Sequence, residues 1–449
     1  MSSPPAAVEG PPSGPASGAA LRVVRHSGWL AGAYVVAFGL ALLQNVVLAR
    51  NIDPAGFGAL ALVIAIVTFV QLLLGSRVWE AATAFVVEFR SRGDGGRATA
   101  TVKLCYLVDA IGALVGFVLI LSLAQPIARI FSIEAAVAPI RLYAISLLLA
   151  VPVATSTALL RIGDRFRWLA AQTVGENLVR LAAVVLVIFF IGVRLMPIVG
   201  AYLVAVGFSA VTLWWLASRV SRELGLVRWR EAPLSLLAED RRRILGFLVN
   251  SNLAGTARLV TGRLDVLIVG WLTDPASVGV YRLARSVSDP LAAFATPVSQ
   301  AVFPEISKLV HARDLRAIRS VTHLIRRVAA SVVLPVCVLT VLLAGWLVPA
   351  VFGASYDEAV PLVRIMVWQL VWIPYVWLPG LLLSLGRAGA VAMFTAIDAA
   401  AYLVLLLVLI PPFGVTGAAW ATLLRFVLWT GAAAVIASRV DADLRTRWA

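Results

Sequence analysis

Asn51 to Leu60 read NIDPAGFGAL, and 221 residues further on Leu272 to Tyr281 read LTDPASVGVY. Asp53, Pro54, Ala55 and Gly58 recur as Asp274, Pro275, Ala276 and Gly279 at that one offset. Each copy lies between two apolar runs. Asp followed by Pro starts a tight turn there, and glycine lets the next helix begin close by. The register continues one residue wider, with Pro152 answering Pro374, Glu176 answering Asp398 and Gly192 answering Gly414. Two copies of one unit are therefore expected in a single chain.

Composition identifies the medium. Of 449 residues, 61% are hydrophobic and 14% charged, against roughly a quarter charged in soluble domains. The apolar residues come in blocks of about 20 or more, enough for a helix to cross a hydrocarbon core of roughly 30 Å. Twelve spans are predicted, near 28–49, 56–78, 104–124, 139–160, 169–191, 195–217, 244–272, 277–303, 327–349, 357–384, 389–411 and 413–436. The runs are continuously apolar, which excludes the alternating strands of a membrane barrel. The expected fold is all-α and polytopic, with an N-lobe at 28–217, a linker at 218–243 and a C-lobe at 244–436. Residues 1–27, rich in Pro, Gly, Ser and Ala, read as a disordered terminus, and 437–449 as the other terminus. Because each lobe has an even number of spans, the copies share one orientation, related by an axis along the membrane normal. Substrate then belongs between the lobes near the midplane.

The net charge of +15 suggests nucleic acid, and the placement of the charge excludes it. Of 38 Lys and Arg, 26 fall in alternate segments that include both termini, eight in spans, and four (Arg50, Arg129, Arg141, Arg194) in the intervening loops. That asymmetry is the positive-inside rule, so both termini are expected in the cytoplasm. Cys105 and Cys337 lie in separate spans without metal-ligand spacing, and His26, His311 and His323 lie on the basic side. Neither a metal nor a cofactor is expected, and no catalytic motif occurs.

Charges within the spans are more informative. The eighth predicted span holds Arg282, Arg285 and Asp289 among nine large apolar residues. The apolar residues return roughly 4 kcal/mol on insertion and the charges cost roughly 8. Such a helix cannot face lipid, so its charges face a partner or a wet cavity. The three share one helical face, at spacing i, i+3, i+7. The seventh span adds Arg258 and Asp265 on one face, with Arg263 to the side. Through the repeat, Arg282 and Arg285 correspond to Ala61 and Ile64, and Arg258 and Asp265 to Ala37 and Gln44. The first lobe is thus nearly neutral where the second is charged, whereas a scaffold role would be expected in both copies. The bland alternative pairs Arg285 with Asp289 and Arg258 with Asp265. Glu176 is expected to pair with Arg180 four residues on, while Asp398 has Tyr402 at the matching position.

The segments LARNIDPAGFGALALVIAIV and DVLIVGWLTDPASVGVYRLARSVSDP, the latter running into FPEISKL, resemble the two lobe openings of a known family. It is the oligosaccharide and polysaccharide flippases of the multidrug/oligosaccharidyl-lipid/polysaccharide exporter superfamily, and the likeness covers about 25–437. Membership implies flipping of an undecaprenyl-diphosphate-linked glycan across the bacterial inner membrane, with membrane lipids and a polysaccharide polymerase as partners. A monomer and no enzymatic activity are expected. For such a substrate, Arg258, Arg263, Arg282 and Arg285 are candidates to hold the diphosphate, since guanidinium forks match phosphate oxygens. Arg364, Trp368, Trp372 and Tyr375 fall within about 80° on an ideal helix and form a candidate stripe for sugar rings. Asp265 and Asp289 are candidates for ion coupling, and Asp109 stands alone in the third span.

Three other readings compete. A multidrug cation exporter of the same superfamily would want an acidic cavity, whereas the first span offers only Gln44 and Asn45. A peptidoglycan-precursor flippase usually has two more helices. A membrane glycosyltransferase or ligase needs carboxylates on a large outer loop, and the longest one here holds only Glu134.

Overall fold

The structure is a computed structural model describing residues 15–75, 78–226, 229, 231–293 and 295–448; the side chains of 15–31, 249–263, 296–298, 300, 301 and 447 lie outside that description. Every regular element among the described residues is helical. The N-lobe comprises α1 (Pro15–Asn51), α2 (Pro54–Leu74), α3 (Val78–Ser91), α4 (Gly95–Ile130), α5 (Val137–Leu149), α6 (Val151–Ile162), α7 (Phe166–Phe190) and α8 (Leu195–Glu223). The C-lobe comprises α9 (Arg241–Leu272), α10 (Pro275–Ala293), α11 (Ala295–His311), α12 (Leu315–Phe352), α13 (Ala359–Met366), a 3-10 stretch (Val367–Tyr375), α14 (Leu378–Ser384) and α15 (Ala388–Trp448). Helix α1 begins before the expected span, so residues 15–27 are helical rather than disordered.

Nine helical stretches among the described residues are long and apolar enough to cross a membrane. The last of them holds two crossings, because α15 breaks at Gly414. The remaining two crossings are α9 and the α10–α11 pair, which are not among those nine and carry Asp265, Arg282, Arg285 and Asp289. The twelve expected crossings are thus accounted for.

The repeated turn is a helix start. Asp53 caps α2 by accepting from the Gly56 amide at 3.2 Å, with Pro54 at the first helical position. Asp274 does the same for α10, accepting from the Ser277 amide at 3.0 Å and the Ser277 hydroxyl at 2.8 Å. A side-chain oxygen satisfies an orphan amide, and proline has no N–H to lose at that position. The duplication extends through the backbone. Left-handed residues occur in register at Gly93 and Arg313, Ser132 and Gly353, Asp164 and Gly386, and Gly192 and Gly414. Pro152 and Pro374 both sit at breaks in the fourth crossing of their lobe.

Lobe contact is concentrated at one end. Helices α2 and α10 pack along each other, whereas their continuations turn to their own lobes, α3 to α4 and α6, and α11 to α12 and α14. At the same end, Arg50 donates to the carbonyls of Ala350 and of Val351, the latter at 2.8 Å. The Tyr356 hydroxyl donates to the Ile52 carbonyl at 3.0 Å. The linker is held on the N-lobe: Arg97 pairs with Glu239 at 2.7 Å and Asp240 at 3.2 Å, and Arg243 grips Glu88 at 2.6 and 2.9 Å. The first turn of α9 therefore rides on α3.

Candidate functional site

A cavity of about 420 Å³ lies between the lobes, inside the α2–α10 contact. Its N-lobe wall includes Gln44 and Asn45 of α1, Ala61, Ile64 and Thr68 of α2, Arg180 of α7 and Tyr202 of α8. Its C-lobe wall is Asp265 and Val266 of α9 with Arg282, Arg285 and Asp289 of α10. Repeat-equivalent positions face one another across it: Gln44 and Asp265, Ala61 and Arg282, Ile64 and Arg285, Thr68 and Asp289. The cavity therefore sits on the pseudo-two-fold axis. Symmetry places the helices, and the side chains break it: where α10 and α9 carry Arg282, Arg285, Asp289 and Asp265, the matching positions of α2 and α1 are uncharged, and the N-lobe wall's one charge is Arg180 of α7, paired with Glu176.

The spacing of α10 aims its three charges into this space, as the insertion cost requires. Arg285 is shared by two carboxylates. Its Nε donates to both Asp289 oxygens at 2.9 and 3.0 Å, and its Nη1 pairs with Asp265 Oδ2. Asp265 is 1% exposed. Its Oδ2 accepts from the Tyr281 hydroxyl at 2.8 Å, with the Tyr402 hydroxyl at 3.5 Å. The Asp265 Oδ1 has no hydrogen-bond partner among the described residues. Arg282 is exposed, and no ion pair or hydrogen bond engages its side chain among the described residues. Arg180 is held by Glu176 and lies 5.8 Å from the Tyr202 ring centroid. Gln44 donates to the Tyr202 hydroxyl. Of the three guanidiniums in the walls, Arg282 alone is left to meet a ligand.

The expected sites divide into three groups. Arg282, Arg285, Asp265 and Asp289 come together in the cavity. Arg258 and Arg263 lie on α9, but their side chains are outside the described residues. Arg364, Trp368, Trp372 and Tyr375 are placed apart from this cavity. Val367–Tyr375 winds as 3-10 helix, at about three residues per turn, so the helical arithmetic does not apply. Arg364 Nε donates to the Val341 carbonyl at 3.1 Å. Trp368 packs beside Cys337 and Leu370, Trp372 against Phe426 and Trp429, and Tyr375 against Trp377. None of the four lines the cavity.

The pairings also differ from those expected. Asp265 takes its arginine from the neighbouring helix. Asp398, which lacks an arginine one turn away, is gripped by Arg425 at 2.7 Å from beyond the α15 break, with Arg425 lying over the Tyr402 ring. Glu176–Arg180 forms within one helix as predicted. Gly112 and Gly116 let α4 approach Leu74 and Val70 of α2 closely. Arg180, Tyr202, Tyr281 and Tyr402 were not legible as site residues. Arg180 and Tyr202 reach the cavity, and Tyr281 and Tyr402 reach Asp265, through helix packing.

Comparison with known proteins agrees with this architecture. Residues 47–361 match the family described as "Polysaccharide biosynthesis protein". An Escherichia coli K12 protein titled inner membrane protein YghQ is 22% identical over 78% of this chain and 97% of its own length. A Haloferax volcanii protein titled probable flippase AglR is 30% identical over 44% of this chain and 41% of its own. A second Haloferax volcanii protein, titled probable low-salt glycan biosynthesis flippase, is 25% identical over 49% of this chain and 45% of its own. Among solved structures, an inward-facing multidrug resistance MATE family transporter superposes with TM-score 0.74 at 12% identity, covering 91% of this chain and 96% of its own. The lipid II flippase MurJ, in its inward closed conformation, gives 0.73 at 12%, covering 91% and 87%. At such identity these two establish the shared fold.

Proposed function

The chain belongs to the polysaccharide biosynthesis protein family, and from that membership we propose that it flips a lipid-diphosphate-linked oligosaccharide across the bacterial cytoplasmic membrane for cell-surface polysaccharide assembly. It is a multi-pass membrane transporter of the flippase class and not an enzyme. The observation that carries the substrate reading is Arg282: a guanidinium in the cavity wall with no ion pair among the described residues, at the position where the repeat has the apolar Ala61 in the other lobe.

The physical reasoning runs from charge. A diphosphate entering hydrocarbon without a counter-charge would be a bare anion in a low-dielectric medium, the costliest group a membrane can admit. A guanidinium offers a planar fork of donors to phosphate oxygens, and Arg285 stands one turn from Arg282 on α10. On this wall two arginines meet two aspartates, and Arg282, which has no counter-ion among the described residues, would repel a cationic drug placed beside it. With the lobes in contact at the Gly58–Gly279 end and diverging beyond it, rocking about the pseudo-two-fold axis would expose the cavity to each face in turn. Both termini and the linker would lie in the cytoplasm, where the basic segments place them. An undecaprenyl-diphosphate glycan and a polysaccharide polymerase are the partners this reading implies.

The test uses the full chain in liposomes with a fluorescent undecaprenyl-diphosphate disaccharide, its leaflet followed by an impermeant quencher. Wild type should move the probe, and Arg282→Ala should slow it by at least about tenfold, the loss of roughly 1.4 kcal/mol. Equal rates in the two proteins would overturn the assignment of the site.

A further inference from the structure

One guanidinium serving two carboxylates leaves the pair over-supplied with negative charge. Arg285 holds Asp289 through Nε and Asp265 through Nη1. The two acids are not equivalent. Asp289 lines the cavity with 35% of its side chain exposed, whereas Asp265 is 1% exposed. Beyond Arg285, Asp265 receives the Tyr281 hydroxyl at 2.8 Å, with the Tyr402 hydroxyl at the limit of hydrogen bonding. Its Oδ1 is buried and lacks a partner among the described residues. Among the described residues, the charged and titratable groups around it come from three sides. Helix α10 brings Tyr281, Arg282, Arg285 and Asp289; α15 brings Tyr402, whose ring carries the Arg425–Asp398 pair. Across the cavity stand Arg180, held by Glu176, and Tyr202. Helix α2 brings only apolar side chains and Thr68.

We propose that Asp265 is a proton-binding site controlled by Arg285: when a diphosphate in the cavity draws the guanidinium away, Asp265 takes up a proton on its unpartnered oxygen. This inference rests on the anionic-substrate reading given above. Arg285 can turn between its acids and the cavity because Nη1 and Nε hold different partners and the side chain is 17% exposed. A carboxylate stripped of its guanidinium in a dry interior is an uncompensated charge, which folded proteins avoid by neutralisation. The step is a simple addition: one O–H bond forms on Asp265, the proton comes from cavity water, and nothing is oxidised or reduced. The ion contact broken at Asp265 is replaced by one between Arg285 and phosphate oxygen. The wall thus gains one positive charge for each anion admitted, and anion binding becomes linked to proton uptake. Expulsion of the proton on one side of the membrane would then return Arg285 to Asp265 and release the anion.

The test is calorimetric titration of the purified full chain with farnesyl diphosphate at pH 8, in two buffers of different ionisation enthalpy. Wild type should take up about one proton per ligand bound, as linkage requires of a site whose occupancy changes on binding. Asp265→Asn should take up none, whatever its affinity, and Asp289→Asn should retain the uptake. Binding by wild type without proton uptake, or uptake unchanged in Asp265→Asn, would overturn the proton site and leave the anion cavity standing. Absence of farnesyl diphosphate binding in wild type would overturn both.

Discussion

A Cβ atom on Gly58 would lie 1.7 Å from the carbonyl oxygen of Pro275, and one on Gly279 would lie 2.0 Å from the carbonyl oxygen of Pro54. The glycines of the repeated turn therefore meet each other's helix starts across the axis between the lobes. Each copy of the motif is the other's binding partner. No side chain fits there, because the obstacle is backbone, which cannot rotate aside.

Gly58→Ala and Gly279→Ala should each force α2 and α10 apart. Both are expected to impair flipping of the fluorescent disaccharide lipid. They should also speed labelling of Ala61→Cys by an impermeant maleimide added from the sealed side, in a background lacking Cys105 and Cys337. Gly200→Ala, where nothing lies within 4 Å, is the control. Labelling that stays slow in both glycine variants would show that the seam does not act as a gate.

Tyr356 is buried at the same end, and its phenol donates to Ile52 of the other lobe at 3.0 Å. Burial, reinforced by nearby Asp53, pushes this phenol well above its ordinary pKa, so it remains a donor at any working pH. Tyr356→Phe should remove about 1 kcal/mol from the closed arrangement. The open-to-closed ratio should then rise roughly fivefold, as 1.4 kcal/mol is a factor of ten. Arg50→Ala, losing its contacts with Ala350 and Val351, should shift it in the same direction. Distance distributions between spin labels on the two lobes would measure it. Populations unmoved by either change would mean the contacts are incidental.

Arg285→Ala would strand Asp265 without a counter-ion. Removing one partner of a buried pair typically costs about 3–5 kcal/mol, because the other charge stays buried. The melting temperature in detergent should fall sharply, and Arg285→Ala combined with Asp265→Asn should recover most of the loss. A double variant no more stable than Arg285→Ala would show that Asp265 does not depend on this arginine.

Asp274→Ala should cost about 1 kcal/mol through the lost helix cap. Burial raises the Asp274 carboxyl, but hydrogen bonds from the Ser277 amide and hydroxyl outweigh it, and the net shift is downward. A carboxyl lowered by folding stabilises at pH values above its unfolded value of about 3.9 and loses that contribution as pH falls through the folded value. The stability gap between wild type and Asp274→Ala should therefore be full at pH 7 and shrink below about pH 4. A gap independent of pH would assign it to backbone propensity instead.

The chain's own text carried the membrane, the duplication and the helix starts, and it marked α10 as a helix that could not face lipid. These are legible because insertion cost is a sum over consecutive residues, and capping is settled within three residues of the cap. Left-handed turns in register, such as Gly192 with Gly414, express the same local rules. The 3-10 winding of Val367–Tyr375, which carries Trp368, Trp372 and Tyr375, was not legible, because the arithmetic assumed an α-helix there.

Which charges answer each other was decided only by tertiary packing. Asp265 meets Arg285 rather than Arg258, Asp398 meets Arg425 from beyond a helix break, and Gly58 meets Pro275. Such contacts depend on the rotation and offset of one helix against another. The packing of many apolar side chains sets those quantities together, so they are not carried by the spacing of any few residues. The sequence by itself determined that charges would be hidden within a duplicated helical membrane protein. The packed lobes determined that two acids share one arginine beside a cavity, with Arg282 left unpaired among the described residues.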